Sequence, residues 1–404
     1  MVHSLVVATL NAMGVDVVDL GLSTTPTVEM AVVHHKAMGG IIVTASHNPQ
    51  QWNALKMLNE KGEFISAAIS DEILRLSENN AIEYQEMTHL GRVITDEEAL
   101  QRHVESIRSL SLVDCSAIEK AGYTVVVDAV NSTGAIAVPA LLRALGVKKI
   151  ILINGEVNGH FAHNPEPLPE HLVGLSREVK RRKAHLGIAV DPDVDRLAIV
   201  CEDGEMFGEE YTLVAVADYV LQHKKGDTVS NLSSTRALRD ITEQHGCRYF
   251  YSAVGEVHVV EKMKETRAVI GGEGNGGIIL PELHYGRDAL AGIALFLSAL
   301  ARSGKTCSIY RARFPDYFIS KNKIELTAGI NADNIMEKIK GRYQKYPLIT
   351  IDGIKIEFDR DWVHLRKSNT EPIIRIYAES SSQTTADNLA RKLMADIREL
   401  AEMK

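Results

Sequence analysis

Residues 44 to 49 read Thr44-Ala45-Ser46-His47-Asn48-Pro49 and follow a short apolar run, Ile41-Ile42-Val43. The run predicts a buried parallel strand, which places Ser46 at a strand's carboxyl end, where open α/β sheets gather their ligands. With His47 beside it and Pro49 stiffening the exit, Ser46 is a candidate covalent nucleophile or phosphate carrier. The bland alternative is a Ser that caps a turn, with Asn-Pro as ordinary turn chemistry. What weighs against it is the company this hexapeptide keeps.

A second cluster, Asp191-Pro192-Asp193-Val194-Asp195-Arg196, comes directly after the strand-like Leu186-Gly187-Ile188-Ala189-Val190. Three carboxylates at alternate positions repel one another, and a hard divalent cation with oxygen ligands relieves this most simply, Mg²⁺ in a phosphate-handling site. Asp191, Asp193, Asp195 and Glu202 also fall at positions 1, 3, 5 and 12 of an EF-hand calcium loop. That fit fails, because Arg196 stands where the loop needs Gly and a strand precedes it. Apolar runs on both sides, Leu186 to Val190 and Leu197 to Val200, leave little room for a merely solvated acidic turn.

A third cluster, Gly271-Gly272-Glu273-Gly274-Asn275-Gly276-Gly277, lies between Ala268-Val269-Ile270 and Ile278-Ile279-Leu280. It contains a formal G-x-G-x-x-G, but a dinucleotide fingerprint must open a helix and these glycines run into Ile-Ile-Leu-Pro. The expectation is that they let the backbone approach a ligand while Glu273 and Asn275 bond hydroxyls, a plain β-turn remaining the alternative. The fourth cluster is Arg366-Lys367-Ser368-Asn369-Thr370-Glu371-Pro372, with Arg375 beyond it. Its guanidinium, hydroxyl and amide donors suit a phosphate dianion, to which charge-assisted bonds are strong. An exposed polar turn is the alternative.

In this order the four pieces resemble the α-D-phosphohexomutase superfamily, over essentially the whole chain. The match is to its phosphoserine loop (44 to 49), metal loop (191 to 196), sugar loop (272 to 276) and phosphate loop (366 to 372), and Trp52-Asn53-Ala54-Leu55-Lys56 matches too. It is closest to the phosphoglucosamine mutase branch, which has G-E-G-N-G where others end in Ser-Gly-His. The resemblance implies a mutase that interconverts glucosamine 6-phosphate and glucosamine 1-phosphate through a phosphoserine and a sugar 1,6-bisphosphate, which also serves as activator. It implies a catalytic set of Ser46, His47, Lys56 and Arg196, with Lys56 assisting proton transfer. One Mg²⁺ would be held by phospho-Ser46, Asp191, Asp193 and Asp195. Glu273 and Asn275 would grip sugar hydroxyls, while Arg366, Ser368, Asn369, Thr370 and Arg375 would hold the non-reacting phosphate. Val254-Gly255-Glu256-Val257-His258 resembles the specificity loop, where Glu256 would favour an amino sugar. The same chemistry on glucose or mannose phosphates, and a non-catalytic sugar-phosphate binding protein, stay open.

Composition fits a large enzyme: 404 residues, 45% hydrophobic, net charge −8. Several cores can form, and no nucleic-acid footprint is visible. Cys115, Cys201, Cys247 and Cys307 show neither metal spacing nor a paired framework, as in a reducing compartment. No apolar stretch reaches the about 18 residues a bilayer requires, and no signal peptide is evident, so no membrane partner and a cytoplasmic location are expected. The oligomeric state is not legible.

These loops need elements to hold them. A helix, a Gly and a strand recur around Gly14, Gly146 and Gly246, each glycine stopping its helix in the left-handed conformation. The fold class expected is α/β, three related and mainly parallel domains (1–106, 107–207, 208–316) plus a smaller C-terminal α+β domain (317–404). That last unit reads strand (323–326), helix (332–343), strand pieces (349–365), strand (373–378) and helix (385–403). One signature loop per domain implies a central cleft, closed by movement of the last domain. Relatives start earlier, with strands carrying Ser-Gly-x-Arg-Gly and Gly-Arg-Asp. The first sheet is therefore expected to keep strands near 15–20, 40–45 and 54–58 with an apolar edge unpaired. The chain as written is expected to be poorly active or unstable without that segment and its arginine.

Overall fold

The computed structural model describes residues 1–48, 52–78, 84–325, 332–368 and 372–402. In the first unit, α1 (Val2–Ala12) leads to β1 (Val17–Asp19), α2 (Thr25–His35), β2 (Gly40–Val43), β3 (Leu55–Leu58), α3 (Ala67–Glu78) and β4 (Val93–Thr95). Thr24 caps α2, its Oγ1 accepting from the Thr27 amide at 3.2 Å. The three-strand sheet expected here does not form. β1 pairs in parallel with β4, and β2 pairs antiparallel with β3. The expectation of a buried parallel strand at 41–43 is therefore corrected. A hairpin covered on one face buries alternate residues: Ile42 packs with Val32 and Leu58, while Ile41 and Val43 are 37% and 38% exposed.

Two sheets of like topology follow. The first takes α4 (Ala99–Arg108), α5 (Cys115–Ala121), β5 (Thr124–Asp128), α6 (Gly134–Ala144), β6 (Lys149–Ile153), α7 (Val173–Arg182), β7 (Leu186–Val190) and β8 (Leu197–Cys201), with strand order β6-β5-β7-β8. The second takes α8 (Glu209–His223), β9 (Thr228–Asn231), α9 (Ala237–Gln244), β10 (Tyr249–Ser252), α10 (Glu256–Thr266), β11 (Ile270–Glu273) and β12 (Gly277–Ile279), in order β10-β9-β11-β12. In each, three strands run parallel and the last turns back antiparallel. The three candidate loops thus share one structural place, the tip of an antiparallel hairpin: β2–β3 carries Ser46, β7–β8 the aspartates, and β11–β12 the sugar loop.

The recurring glycines act as helix stops. Gly14, Gly146 and Gly246 have φ of 82°, 83° and 72°. The next amide in each case (Val15, Val147, Cys247) reaches back to the carbonyl of Leu10, Leu142 or Thr242 at 3.0–3.1 Å, closing a Schellman motif.

One apolar core joins the two sheets. At its centre lies α11 (Ala289–Ser303), buried from Ala289 to Leu300 and capped by Asp288, followed by α12 (Cys307–Arg311). Phe296 of α11 meets Phe207 edge to face at 4.9 Å between ring centroids. The fourth unit has its own core beneath an antiparallel sheet. It comprises β13 (Phe318–Glu325), α13 (Ala332–Tyr343), β14 (Leu348–Ile349), β15 (Ile354–Glu357), β16 (Trp362–Lys367), β17 (Ile373–Ser380) and α14 (Gln383–Glu402), in order β13-β17-β16-β15-β14. Among the described residues no helix is long and apolar enough to cross a membrane. Phe296→Ala is expected to destabilise the chain by about 3–5 kcal/mol, since a ring leaves a cavity that cannot collapse. A shift of the urea midpoint measures this, and an unmoved midpoint contradicts the placement of α11.

Candidate active site

Ser46 stands three residues beyond β2 with φ of 49°, left-handed for a non-glycine residue, and its amide donates to Thr44 Oγ1 at 2.9 Å. The turn aims its Oγ across to the second unit, where it donates to Asp191 Oδ2 at 3.1 Å. His47 Nδ1 lies 3.3 Å from the same Oγ, and its Nε2 lies 3.4 Å from Arg196 Nη2. Burial, then the Arg196 charge, push the His47 pKa down to about 4, so the ring is neutral at pH 7. Glu166 Oε1 accepts from Arg196 Nη1 at 3.3 Å.

The loop after β7 folds around its own first carboxylate, Asp191 Oδ1 accepting from the amides of Asp195 and Arg196 at 3.1 Å each. Asp191, Asp193 and Asp195 are at most 3% exposed, and their nearest oxygens lie within 4.8 Å of one another. Burial raises the Asp191 pKa and the charges of Asp195 and Asp193 raise it further. Burial would raise that of Asp195 too, but Arg287, Lys56 and Arg196 outweigh it and hold the group ionised.

Cations from two other units meet this charge. Lys56, on β3, reaches Asp193 Oδ2 at 2.6 Å and Asp195 Oδ2 at 3.3 Å. Although burial acts to lower its pKa, those two carboxylates hold it above the usual lysine range. Arg287, just before α11, donates from Nη2 to Asp195 Oδ2 at 2.7 Å and from Nη1 to Glu273 Oε2 at 2.6 Å, with its Nε 3.1 Å from Glu256 Oε2. Thr25 Oγ1 donates to Asp193 Oδ2 at 2.6 Å. Among the described residues of this network Asp193 Oδ1, Asp195 Oδ1, Glu256 Oε2, Arg196 Nε and Arg287 Nε are buried without a hydrogen-bond partner, although Arg287 Nε faces Glu256 Oε2 at 3.1 Å and Arg196 Nε lies 3.9 Å from Asp195 Oδ1. Oxygen acceptors in excess suit a hard divalent cation, and a spare guanidinium N–H suits a phosphoryl oxygen, so the residues present fit both groups.

One expectation is revised at the third loop. Its glycines bring the backbone against protein, not ligand: a Cβ on Gly274 would meet Glu210 Oε2 at 1.8 Å, and one on Gly276 the Leu197 carbonyl at 2.1 Å. Asn275 Oδ1 closes the turn by accepting from the Gly277 amide at 3.1 Å. Glu273 is 4% exposed and also accepts from Asn231 Nδ2 and the Gly255 amide, at 2.7 and 3.0 Å. Glu256 is buried. It opens α10 and is spoken for by Arg287, whose amide it accepts at 2.9 Å.

In the fourth unit Arg366 and Arg375 oppose each other across β16 and β17. Like charges directly opposite repel, which an anion between them would relieve. Asp352 holds Arg366 Nε at 3.0 Å and accepts from the Val254 amide at 3.0 Å, joining this strand end to the loop before α10. Ser368 is buried, while Asn369 and Thr370 lie outside the described residues.

The structure thus gathers Ser46, His47, Lys56, Asp191, Asp193, Asp195 and Arg196 into one network, which Arg287 extends to Glu256 and Glu273. Arg366, Ser368 and Arg375 form a separate group. Sequence reasoning did not find Arg287, Thr25, Glu166 or Asp352. Thr24-Thr25-Pro26 signals a helix start, but nothing in it announces a contact with Asp193.

Profiles for the four domains of phosphoglucomutase/phosphomannomutase match in order: alpha/beta/alpha domain I at residues 1–83, domain II at 101–204, domain III at 208–317 and the C-terminal domain at 322–396. The chain belongs to the phosphoglucomutase/phosphomannomutase family. It is 35% identical over 393 residues to a phosphoglucomutase/phosphomannomutase of Thermococcus kodakarensis, covering 96% of this chain and 84% of that protein. It is 33% identical over 401 residues to a probable phosphoglucosamine mutase of Methanopyrus kandleri, covering 98% and 87%. A crystal structure of a phosphoglucomutase/phosphomannomutase family protein from Burkholderia thailandensis superposes with a TM-score of 0.83 at 25% identity, covering 97% of this chain and 85% of that one. The chain is accordingly a phosphohexomutase, an isomerase of the α-D-phosphohexomutase superfamily.

Arg287 is the residue this phosphohexomutase can least spare. Arg287→Met removes a cation shared by three buried carboxylates and is expected to destabilise the chain by about 3–5 kcal/mol. Chemical denaturation measures it, and a loss below about 1 kcal/mol would contradict the pairing described.

Proposed function

We propose that the chain interconverts glucosamine 6-phosphate and glucosamine 1-phosphate, with Ser46 as phosphoryl carrier and a sugar bisphosphate as intermediate and activator. The observation that carries this reading is the Ser46 hydroxyl at 3.1 Å from Asp191, beside two buried acceptors and a buried donor with no partners. One Mg²⁺ held by Asp191, Asp193, Asp195 and a phosphoryl oxygen of Ser46 would supply Lewis-acid stabilisation of the charge on the transferring group.

The chain's own residues do the rest. In one half-reaction the Oγ–P bond of Ser46 breaks as a sugar oxygen forms a bond to phosphorus, and the proton of that sugar hydroxyl ends on Ser46. The other half-reaction reverses these steps with the sugar turned end for end. Lys56 handles the proton on the sugar side once its contacts to Asp193 and Asp195 rearrange, since while they last they keep it charged. His47, kept neutral beside Arg196, handles it at Oγ from 3.3 Å. Arg196 offers its free Nε to a phosphoryl oxygen. Glu273 and Asn275 address sugar hydroxyls once the Arg287 and turn contacts rearrange. Arg366, Ser368, Asn369, Thr370 and Arg375 hold whichever phosphate is not reacting.

Preference for the amino sugar rests on the names of relatives such as the Methanopyrus protein and on the G-E-G-N-G loop. A second reading, glucose or mannose phosphate as substrate, is favoured by the Thermococcus relative's name and by the engagement of Glu256 with Arg287. The four free cysteines support a cytoplasmic setting.

A coupled assay over glucosamine, glucose and mannose phosphates, with Mg²⁺ and a trace of sugar bisphosphate, is expected to show the highest kcat/KM for glucosamine phosphate. A higher value for glucose or mannose phosphate would establish the second reading. Intact mass should show a fraction about 80 Da heavier that vanishes, together with turnover, in Ser46→Ala. Full turnover by that variant would end the carrier role.

A further inference from the structure

The metal loop is gripped from two sides by helix starts that belong to different units. At the head of α2, Thr25 donates its amide to the Asp193 carbonyl at 2.9 Å and its hydroxyl to the Asp193 carboxylate. At the head of α11, the Ala289 amide donates to the Val194 carbonyl at 3.2 Å and Arg287 holds Asp195. The two jaws are tied to each other by one buried ring. His103, on α4 and 1% exposed, has Nδ1 at 2.9 Å from Thr27 Oγ1 and Nε2 at 2.9 Å from Asp288 Oδ2. Thr27 stands two residues after Thr25, and Asp288 directly follows Arg287. Asp288 Oδ1 is fixed in turn by the amides of Leu290 and Ala291 at 2.8 and 3.1 Å. His284 braces the junction from behind, with Nε2 3.2 Å from Asp288 and Nδ1 3.2 Å from the buried Glu29.

We propose that His103 is a positioning residue for phosphoryl transfer: by spanning Thr27 and Asp288 it fixes the spacing of Thr25 and Arg287, and through them the relative placement of Asp193 and Asp195. It touches none of the reacting atoms. A ring bonded at both nitrogens is a rigid spacer, and partners that orient metal ligands from outside govern affinity nearly as strongly as the ligands do. This inference rests on the metal reading of the aspartate loop.

The test uses Thr27→Val, His103→Leu and their combination in the full chain, with Mn²⁺ affinity by calorimetry beside steady-state kinetics. His103→Leu should weaken Mn²⁺ binding and lower kcat together, by less than the about 10-fold to 100-fold loss seen when a direct partner of a metal ligand is removed. The KM for sugar phosphate should stay within about twofold, since the phosphate loop is untouched. Thr27→Val, which also cuts the 2.7 Å contact of Thr27 Oγ1 with Thr24 Oγ1, should cause a smaller loss of the same kind, and the losses of Mn²⁺ affinity should be less than additive in the double variant, because both substitutions break the Thr27–His103 link. Folded variants with wild-type Mn²⁺ affinity and kcat, or losses that add in the double variant, overturn the proposal. If His103→Leu fails to fold, Thr27→Val alone decides it by the same readouts. A wild-type chain that binds no Mn²⁺ refutes the metal reading instead, a result distinct from variants that keep wild-type binding. His103, His284 and Asp288 also have ligand atoms within 4.8 Å of one another, and Zn²⁺ binding retained by Asp193→Asn but lost with His103→Leu would make them metal ligands and also overturn the proposal.

Discussion

Three ionisable carboxylates packed within 4.8 Å of one another and shut away from water are the constraint on which this structure turns. Unpaired, such a group is among the most costly things a protein can bury. Lys56 and Arg287 meet it in the ligand-free chain, and they come from the first and third units, so neutralising the loop of the second requires all three to close around it. The site and the arrangement of the units are in this sense one problem in electrostatics. Arg287 is central because a single guanidinium serves Asp195, Glu273 and Glu256 with three different nitrogens, which a lysine's compact ammonium cannot do.

The balance is left incomplete in a chemically useful way. Asp193 and Asp195 each keep one oxygen without a hydrogen-bond donor, and Arg196 keeps one nitrogen without a hydrogen-bond acceptor, in the same loop whose Asp191 accepts from Ser46. Strain at Ser46 belongs to the same design: a left-handed serine at a hairpin tip is held only by its surroundings, here Thr44 and the Asp191 carboxylate. Hairpin tips from three units converge, and in the second and third units the hairpin is made by an antiparallel strand that ends a parallel run. That turn places a loop at the carboxyl end of the preceding strand, where ligands gather in folds of this kind.

Much of this was legible from residues close in sequence. The glycines at 14, 146 and 246 stop helices through bonds spanning five residues, so local pattern suffices, and α13 runs from Ala332 to Tyr343 as its periodicity implies. The aspartate loop was legible because its charges lie at alternate positions between two apolar strands. What escaped depends on tertiary contact. Val93–Thr95 is short and exposed along its length, so nothing local marks it as the parallel partner of β1. Arg287 is one arginine before a capping aspartate, and its three partners lie 14, 31 and 92 residues away. The glycines of the third loop suggested room for a ligand, yet the space is filled by Glu210 and Leu197, which no spacing rule connects to them. The pairing of Glu256 escaped for the same reason, since it is decided by Arg287.

The most direct measurement is the ³¹P resonance of the chain phosphorylated at Ser46, followed as Mn²⁺ is added to wild type and to Asp193→Asn. A phosphoryl group sharing its cation with the aspartate loop must broaden beyond detection at stoichiometric Mn²⁺ in wild type and stay sharp in the variant. A resonance that Mn²⁺ leaves sharp in the wild-type chain would contradict the account.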